Sequence, residues 1–548
     1  MSASLEEHDS IRKAAIAQAQ RLGNEAMLHN NRAAVLMDAR RYEEAASLLG
    51  AAVRLDPSLA TAHSNLATCL YALRRLPEAR AAYRAAAAAD PQFIYPRVQA
   101  LSVARELCEW HSWEQEVAEL RALTPARGNT APQLDLLFLP LQPEELRRDA
   151  ECFAADAGTA ATWFPAARRN NSPRVCVGYV SNEIRNHVVG ALLIEVLELH
   201  DKSSFDIHVF DWGQTANTIV ERRVRRAGLK LHDISRLNDR QAAELIASLG
   251  IDILVDLKGY TTGHRMGIFR QRPAPVQLSW LGYPGTLGDR CIDYIVADPF
   301  VIPRGAESGF TEAVLRLPCV FLPADRQKPI ADTGSRELFG LPEAAVVFCY
   351  HGRSGKITPE VFADWIDIVA AVPGSVLWLR ADNETSRANL TTQAAKRGLA
   401  TERLIFFRDS ARMRSSDLIA RYRFADLALD TYPYGSHATA SEALWAQCPL
   451  LTRVGSTYAS RVAGSLLTAT GLDSLVTTTR EEFRRRAIEL GNAPERLAEL
   501  RSQLADSGAT SGIFDSPRFT RALEDGYSAV FRRHAEGLTP SAVDLSVG

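Results

Sequence analysis

From Arg174 onward, short apolar strands alternate with helical stretches, and the alternation restarts near Leu341. The first series holds RVCVGYVS (174–181), FDIHVFDW (205–212), IDILVDLKGY (251–260) after a helix-like QAAELIASLG, and VQLSWLGYPGT (276–286). The second holds AAVVFCYH (344–351), the helix VFADWIDIVAAVP (361–373), SVLWLRA (375–381), and RLIFFRD (403–409) after a helix-like NLTTQAAKRGL. It ends with DLALDTYP (426–433) and PLLTRVG (449–455). A strand that leads into a helix and then another strand must pair in parallel, since the helix carries the chain back across the sheet. Two series predict two Rossmann-like α/β lobes, over 174–335 and 336–515, with a terminal helix and tail over 516–548. Ligands of open parallel sheets sit at the carboxyl ends of the strands, so the crevice between the lobes is the expected site. No G-x-G-x-x-G follows a first strand and no G-x-x-x-x-G-K-[ST] occurs, which argues against a dinucleotide dehydrogenase or a P-loop enzyme.

Upstream the texture is helical and repetitive. EEAASLLGAAVRLDPS (43–58) matches PEARAAYRAAAAADPQ (77–92) at an offset of 34: Arg41 with Arg75, Glu44 with Glu78, Ala45 with Ala79, Ala52 with Ala86, Asp56 with Asp90, Pro57 with Pro91. A 34-residue period with small residues at the helix crossing and Asp-Pro at the end is the tetratricopeptide signature. Two repeats are expected over about 26–92, and less regular helical packing over 96–123, giving a helical domain over 1–125. Stacked helix pairs leave a groove suited to a protein partner. A helical linker is expected over 126–173, ending in DAGTAATWFPAARRNNSP (156–173), whose Gly, Pro, Asn and Ser suit an irregular connection.

With 548 residues the chain exceeds what one core serves. A net charge of −2 gives no global attraction to nucleic acid or anionic lipid. The polar start, MSASLEEHDSIRK, has no apolar centre for a signal peptide, and no run of 18 apolar residues suggests a membrane span. The eight cysteines are scattered without a C-x-x-C pair, so neither a zinc ribbon nor a disulfide framework is suggested. These features point to the cytoplasm.

Local chemistry gathers at strand exits. In GSHATASEALW (435–445) Thr439 and Glu442 fit a T-x-x-E capping box. The same helix start offers N–H groups and a positive dipole end to an anion such as a diphosphate. Gly435 allows close approach and His437 adds a donor. In HGRSGKITPE (351–360) Lys356 follows a strand through a glycine-rich turn, where it can neutralise a leaving phosphate, with Arg353 assisting. Each of these residues has a plain structural role open to it as well: cap, turn or solvated charge. WLGYPGT (280–286) is a second glycine-rich turn whose backbone can pack on a sugar. His187, opening a helix after the first strand, is either a structural histidine or a base. No Asp-x-Asp occurs to hold a divalent ion on a diphosphate.

The tetratricopeptide repeats followed by RVCVGYVSNEIRNH, ILVDLKGYT, RPAPVQLSWLGYPGT, Asp293–Tyr294, VPGSVLWL, ADLALDTYPY, SHATASEALW and ASRVAGSLL make the chain similar to the O-linked N-acetylglucosamine transferases and their SPINDLY relatives. The resemblance covers most of the chain, in the family order. It implies a two-lobe transferase of the GT-B type, inverting and without a metal or other cofactor, which moves a sugar from a nucleotide diphosphate to Ser or Thr of a protein held by the repeats. By resemblance Lys356 stabilises the leaving diphosphate. His437, Ala438 and Thr439 lie at the diphosphate and sugar, Glu442 at the ribose, and Arg421 in a helix near the base. Leu281, Gly282 and Pro284 line the sugar pocket, Arg353 lies at the donor, and His187 matches a histidine proposed as general base.

The chain departs from the family where F-N-x-x-Y-K becomes HGRSGK, where H-T-T becomes His437-Ala438-Thr439, and where Asp becomes Glu442 as in the SPINDLY branch. UDP-GlcNAc is the expected donor. The alternatives are GDP-fucose, a nonulosonic acid placed on flagellin as in some bacterial relatives, and a catalytically silent repeat scaffold.

Overall fold

The computed structural model describes residues 2–158, 173–185, 187–213, 218–332, 334–407, 415–507 and 512–546, so most of the 156–173 connection lies outside the described residues. Two compact units emerge, Met1–Asp135 and Leu136–Gly548.

The first unit is built from α1 (Ser2–Asp38), α2 (Tyr42–Leu55), α3 (Ala60–Ala72), α4 (Leu76–Ala89), α5 (Ile94–Leu107) and α6 (Trp113–Arg121). Alanine where helices cross lets them approach closely: Ala45, Ala52 and Ala62 are buried in one cluster, and Ala79, Ala82 and Ala100 in the next. Asp56 and Asp90 end α2 and α4 by accepting from the N–H two residues on, at 3.0 Å in both places. The period continues further than the side chains reveal. Arg40, Arg74 and Cys108, 34 residues apart, all take the left-handed conformation, with φ 57°, 60° and 51°. After each, the next N–H donates five residues back: Arg41 to Leu36, Arg75 to Leu70, Glu109 to Ala104. The stretch expected to be less regular is therefore a third helix pair in register with the first two.

The second unit carries two parallel sheets. The first contains β1 (Val175–Val180), β2 (Phe205–Asp211), β3 (Lys230–Asp233), β4 (Ile253–Asp256), β5 (Val276–Ser279), β6 (Tyr294–Ala297) and β7 (Ala313–Arg316). The second contains β8 (Val347–Tyr350), β9 (Val376–Arg380), β10 (Leu404–Phe407), β11 (Leu427–Leu429), β12 (Leu450–Arg453) and β13 (Val476–Thr477). A short β14 (Val543–Asp544) returns to pair with β7. The orders are β3-β2-β1-β4-β5-β6-β7-β14 and β10-β9-β8-β11-β12-β13. Both are doubly wound, and the direction of winding reverses between β1 and β4 and between β8 and β11. Strand interiors such as Ile253–Asp256 and Val347–Tyr350 are buried throughout, as helices on both faces require.

The lobes are joined by specific contacts. The helix Tyr458–Ala469, which follows β12, docks on the exit of β6: Ser465 Oγ donates to Asp298 at 2.6 Å, Arg461 Nε to the Phe300 carbonyl at 2.7 Å, and the Tyr458 hydroxyl to the Val296 carbonyl at 3.2 Å. The terminal helix Ser516–Ala535 lies on the first sheet, with Phe519 stacked on Trp280 and Glu524 2.9 Å from His200 Nδ1. Among the described residues no helix is long and apolar enough to cross a membrane, and no disulfide forms.

Candidate functional site

In the second sheet the reversal of winding brings two strand exits side by side. β8 leads through a 3-10 turn, Ser354–Lys356, into the helix Pro359–Ala371. Asp382 holds this turn, accepting from the Ser354 N–H at 2.7 Å and from its hydroxyl at 2.8 Å. Thr358 caps the helix and Pro359 occupies its first turn, where a missing N–H costs nothing. Asp430, directly after β11, is buried and folds the following loop around itself. It accepts from Thr431 N at 2.7 Å, Ser436 N at 2.6 Å and Thr452 Oγ1 at 2.7 Å.

Lys356 lies between these exits. Its Nζ donates to the Gly435 carbonyl at 3.0 Å and stands 4.2 Å from the centroid of the Tyr434 ring, a cation–π arrangement. Tyr434 is itself stacked with Phe138, at 4.3 Å, and with His437, at 4.6 Å. Burial pulls the Lys356 ammonium down to about 8, aided by the Arg353 charge and opposed by Asp430. The lysine is thus a cation held in a poorly solvated place, able to lose its proton near neutral pH.

The helix Ala438–Trp445 begins at His437, with no side chain accepting at its N-cap. This corrects the expected capping box. Thr439 is the second helical residue rather than the cap, and Glu442 Oε1 is paired with Lys328 Nζ at 3.0 Å, away from any capping role. Lys328 belongs to the segment joining the two sheets, and its carbonyl accepts from Trp445 Nε1 at 3.1 Å. The helix start therefore keeps N–H groups that no side chain satisfies.

His437 also differs from expectation. Its Nε2 is 3.0 Å from the Ala459 carbonyl, and a carbonyl can only accept, so Nε2 carries the proton. Burial and the nearby Lys356 charge hold the ring down to about 3, hence neutral. Its Nδ1 is then an acceptor, and the donor expected of His437 toward an anion is already committed to the protein. Arg421 is buried in a 3-10 turn after the helix Ser415–Ala420, its guanidinium 4.0 Å from the Phe407 ring centroid.

In the first sheet, the β1 and β4 exits meet in the same way. His187 caps the helix Val188–Leu199, with Nδ1 accepting from Val189 N at 3.4 Å. Glu183 Oε2 lies 3.4 Å from the same nitrogen. The His187 side chain keeps 47% of its exposure. Its pKa is lowered by burial, with Glu183 opposing and the charges of Lys258 and Arg353 adding to the depression. Arg353 is from the other lobe, so the two sheets present His187 and the Arg353–Lys356 turn to a common space. The WLGYPGT turn backs onto the β4 exit. Leu281 has φ 74°, rare for a residue with a Cβ, and a Cβ on Gly282 would stand 1.9 Å from the Leu257 carbonyl oxygen. Leu281 and Gly282 are half-buried and Pro284 is buried, so this turn offers its first two residues and hides the third.

Asp430, Tyr434, Asp382, Lys328, Glu183 and Lys258 were not singled out from the sequence. An acid closing the DLALD strand and a lysine interrupting the apolar ILVDLKGY were the available signals. The partnership of Lys328 with Glu442, 114 residues apart, had none.

Known proteins match along most of the chain. The family model described as Glycosyl transferase family 41 matches residues 158–333 and 326–523, and a tetratricopeptide repeat model matches 30–92. The Arabidopsis thaliana protein named "Probable UDP-N-acetylglucosamine--peptide N-acetylglucosaminyltransferase SEC" is 30% identical over 457 residues, covering 79% of this chain and 46% of its own. The Caenorhabditis elegans UDP-N-acetylglucosamine--peptide N-acetylglucosaminyltransferase is 26% identical over 481 residues, covering 67% of this chain and 42% of its own. The chain thus spans less than half the length of these relatives. A solved structure of a lysine-to-methionine mutant of Thermobaculum terrenum O-GlcNAc transferase superposes with a TM-score of 0.73 at 28% identity, covering 95% of this chain and 99% of that one.

Proposed function

Because the chain belongs to glycosyl transferase family 41, we propose that it is a protein O-glycosyltransferase that moves GlcNAc from UDP-GlcNAc to Ser or Thr of a protein held by the repeats. The observation that carries this reading is the pairing of Lys356 with an uncapped helix start at Ala438. Together they supply positive charge where a departing diphosphate develops negative charge, and they do so from half-buried positions, where that charge is less screened than in open water.

Direct displacement at the anomeric carbon inverts its configuration. His187 stands at the mouth of the opposite sheet as the group to take the acceptor proton. Neutral His437, with Nδ1 as acceptor, suits a sugar hydroxyl better than a phosphate oxygen. Glu442, on the same helix one turn beyond the diphosphate end, is held by Lys328 from the segment between the sheets, a place that suits a ribose ligand. No step calls for a divalent ion. The repeats, whose third helix pair extends the groove, take the acceptor protein.

Isothermal titration with UDP-GlcNAc, GDP-fucose and a CMP-linked nonulosonic acid tests the donor. Binding of UDP-GlcNAc alone is expected, and preference for another donor overturns that choice while keeping the enzyme class. No binding of any donor would leave the chain as a repeat scaffold.

A further inference from the structure

Lys356 holds its charge without a neutralising partner. Among the described residues it makes no ion pair, and its Nζ gives one hydrogen bond, to the Gly435 carbonyl. Asp430 acts on it through space, but the oxygens of that carboxylate are held by Thr431, Ser436 and Thr452. Burial disfavours such an ammonium. What faces it is the Tyr434 ring, with Nζ 4.2 Å from the centroid. The face of an aromatic ring attracts a cation, and does so more strongly where water is scarce. Unlike a carboxylate the ring has no net charge, so it supports the ammonium without cancelling its pull on an anion.

The ring is fixed at both ends. The Thr431 hydroxyl donates to the Tyr434 carbonyl at 2.9 Å, and the next N–H, of Gly435, donates to the Ala459 carbonyl at 3.1 Å. The side chain lies against Phe138, with centroids 4.3 Å apart and planes 11° from parallel. Phe138 belongs to neither sheet. It sits in the segment that opens the second unit, where Leu136, Leu137, Leu139 and Leu141 are all buried and anchor it on both sides.

We propose that Tyr434 is a positioning residue that keeps Lys356 charged and aimed at the departing diphosphate, and that Phe138 holds the Tyr434 ring in place for it. This rests on the reading of Lys356 as the diphosphate cation. The other groups that face the lysine are Arg353 on its own turn, whose charge opposes the ammonium, Asp430 after β11, whose charge favours it, and neutral His437 at the helix start.

The experiment uses the full chain. Competitive acetylation with acetic anhydride, followed across pH by the mass of the peptide that holds Lys356, reads how much of its amine is unprotonated and needs no turnover. kcat/KM for UDP-GlcNAc is measured over the same range. Tyr434→Leu removes the ring face and leaves an apolar side chain, so the lysine stays poorly solvated. Its acetylation midpoint, about 8 in the unaltered chain, is expected to fall by about half to one pH unit, and kcat/KM at pH 8 by about two- to fivefold. Tyr434→Phe keeps the face and should keep the midpoint. Phe138→Leu should lower the midpoint by less, and Tyr434→Leu/Phe138→Leu should match Tyr434→Leu alone, because Phe138 acts only through the ring. A midpoint that stays or rises in Tyr434→Leu overturns the proposal, as does one that falls equally in Tyr434→Phe. Additive shifts in the double variant, or no shift in Phe138→Leu, overturn the role of Phe138. If the midpoint falls in Tyr434→Leu while kcat/KM at pH 8 holds, the ring keeps Lys356 charged but the reading of Lys356 as the diphosphate cation fails.

Discussion

On the proposed function, one proton at Lys356 decides how much positive charge meets the leaving diphosphate. The group is drawn down to about 8 by burial, so in the free protein its charge is present below that pH and lost as pH rises through it. Because kcat/KM reports the free enzyme, it is expected to fall with rising pH above about 8. Lys356→Arg should remove this alkaline limb, since a guanidinium stays charged. A pH–rate profile of UDP release checks both, and an unchanged limb in the arginine variant would assign it to another group. Lys356→Ala is expected to cut turnover by about 1,000-fold, the scale for losing one preorganised charge-stabilising group, while leaving thermal unfolding near its original midpoint. His437, held to about 3, should contribute no limb between pH 5 and 9. The lysine and the histidine were both legible in the sequence because each follows a strand. Their chemical states were not, because the ring of Tyr434, the Ala459 carbonyl and the Asp430 carboxylate reach them only through the fold.

Among the elements, the strands with long apolar runs and the helices that follow them lie where periodicity places them. β3, β6, β7, β13 and β14 did not announce themselves. KLHD has little apolar content and is mostly exposed, β13 has two residues, and β7 is four residues between turns. The T-x-x-E pattern misplaced a helix start by two residues. The chain is still turning around Asp430 through Ser436, so the helix begins at once after His437 and Thr439 falls inside it. The WLGYPGT turn gives a test at this scale. Gly282→Ala would set a Cβ 1.9 Å from the Leu257 carbonyl oxygen, and a clash with backbone cannot be relieved by a rotamer. A loss of about 1–3 kcal/mol is expected, read as a lower urea midpoint with unchanged slope. An unchanged midpoint would mean that the turn can move away from the β4 exit.

For the whole molecule, the two units predict separable functions. A chain beginning at Leu136, the start of the second compact unit, is expected to bind and hydrolyse UDP-GlcNAc and to lose most transfer to protein acceptors. Equal transfer with and without the repeats, measured by intact mass of the acceptor, would remove the repeats from acceptor binding. On the proposal that Lys356 and the helix start supply the charge, turnover in EDTA is expected to match turnover without it; inhibition reversed by a divalent ion would place a metal on the diphosphate.

The sequence by itself determined the repeat period, the two α/β lobes, their order along the chain and the strand exits where the candidate residues gather. Each of these is a local pattern: small residues at a fixed spacing, apolar runs, and turn residues. Tertiary structure decided what no local pattern encodes. It turned the His437 donor inward, paired Glu442 with Lys328 across 114 residues, set Tyr434 under Lys356, and buried Lys258 against Glu183. Charge state, tautomer and exposure depend on which distant groups are brought within a few ångströms, and that is fixed only when the two sheets and the segment between them have packed.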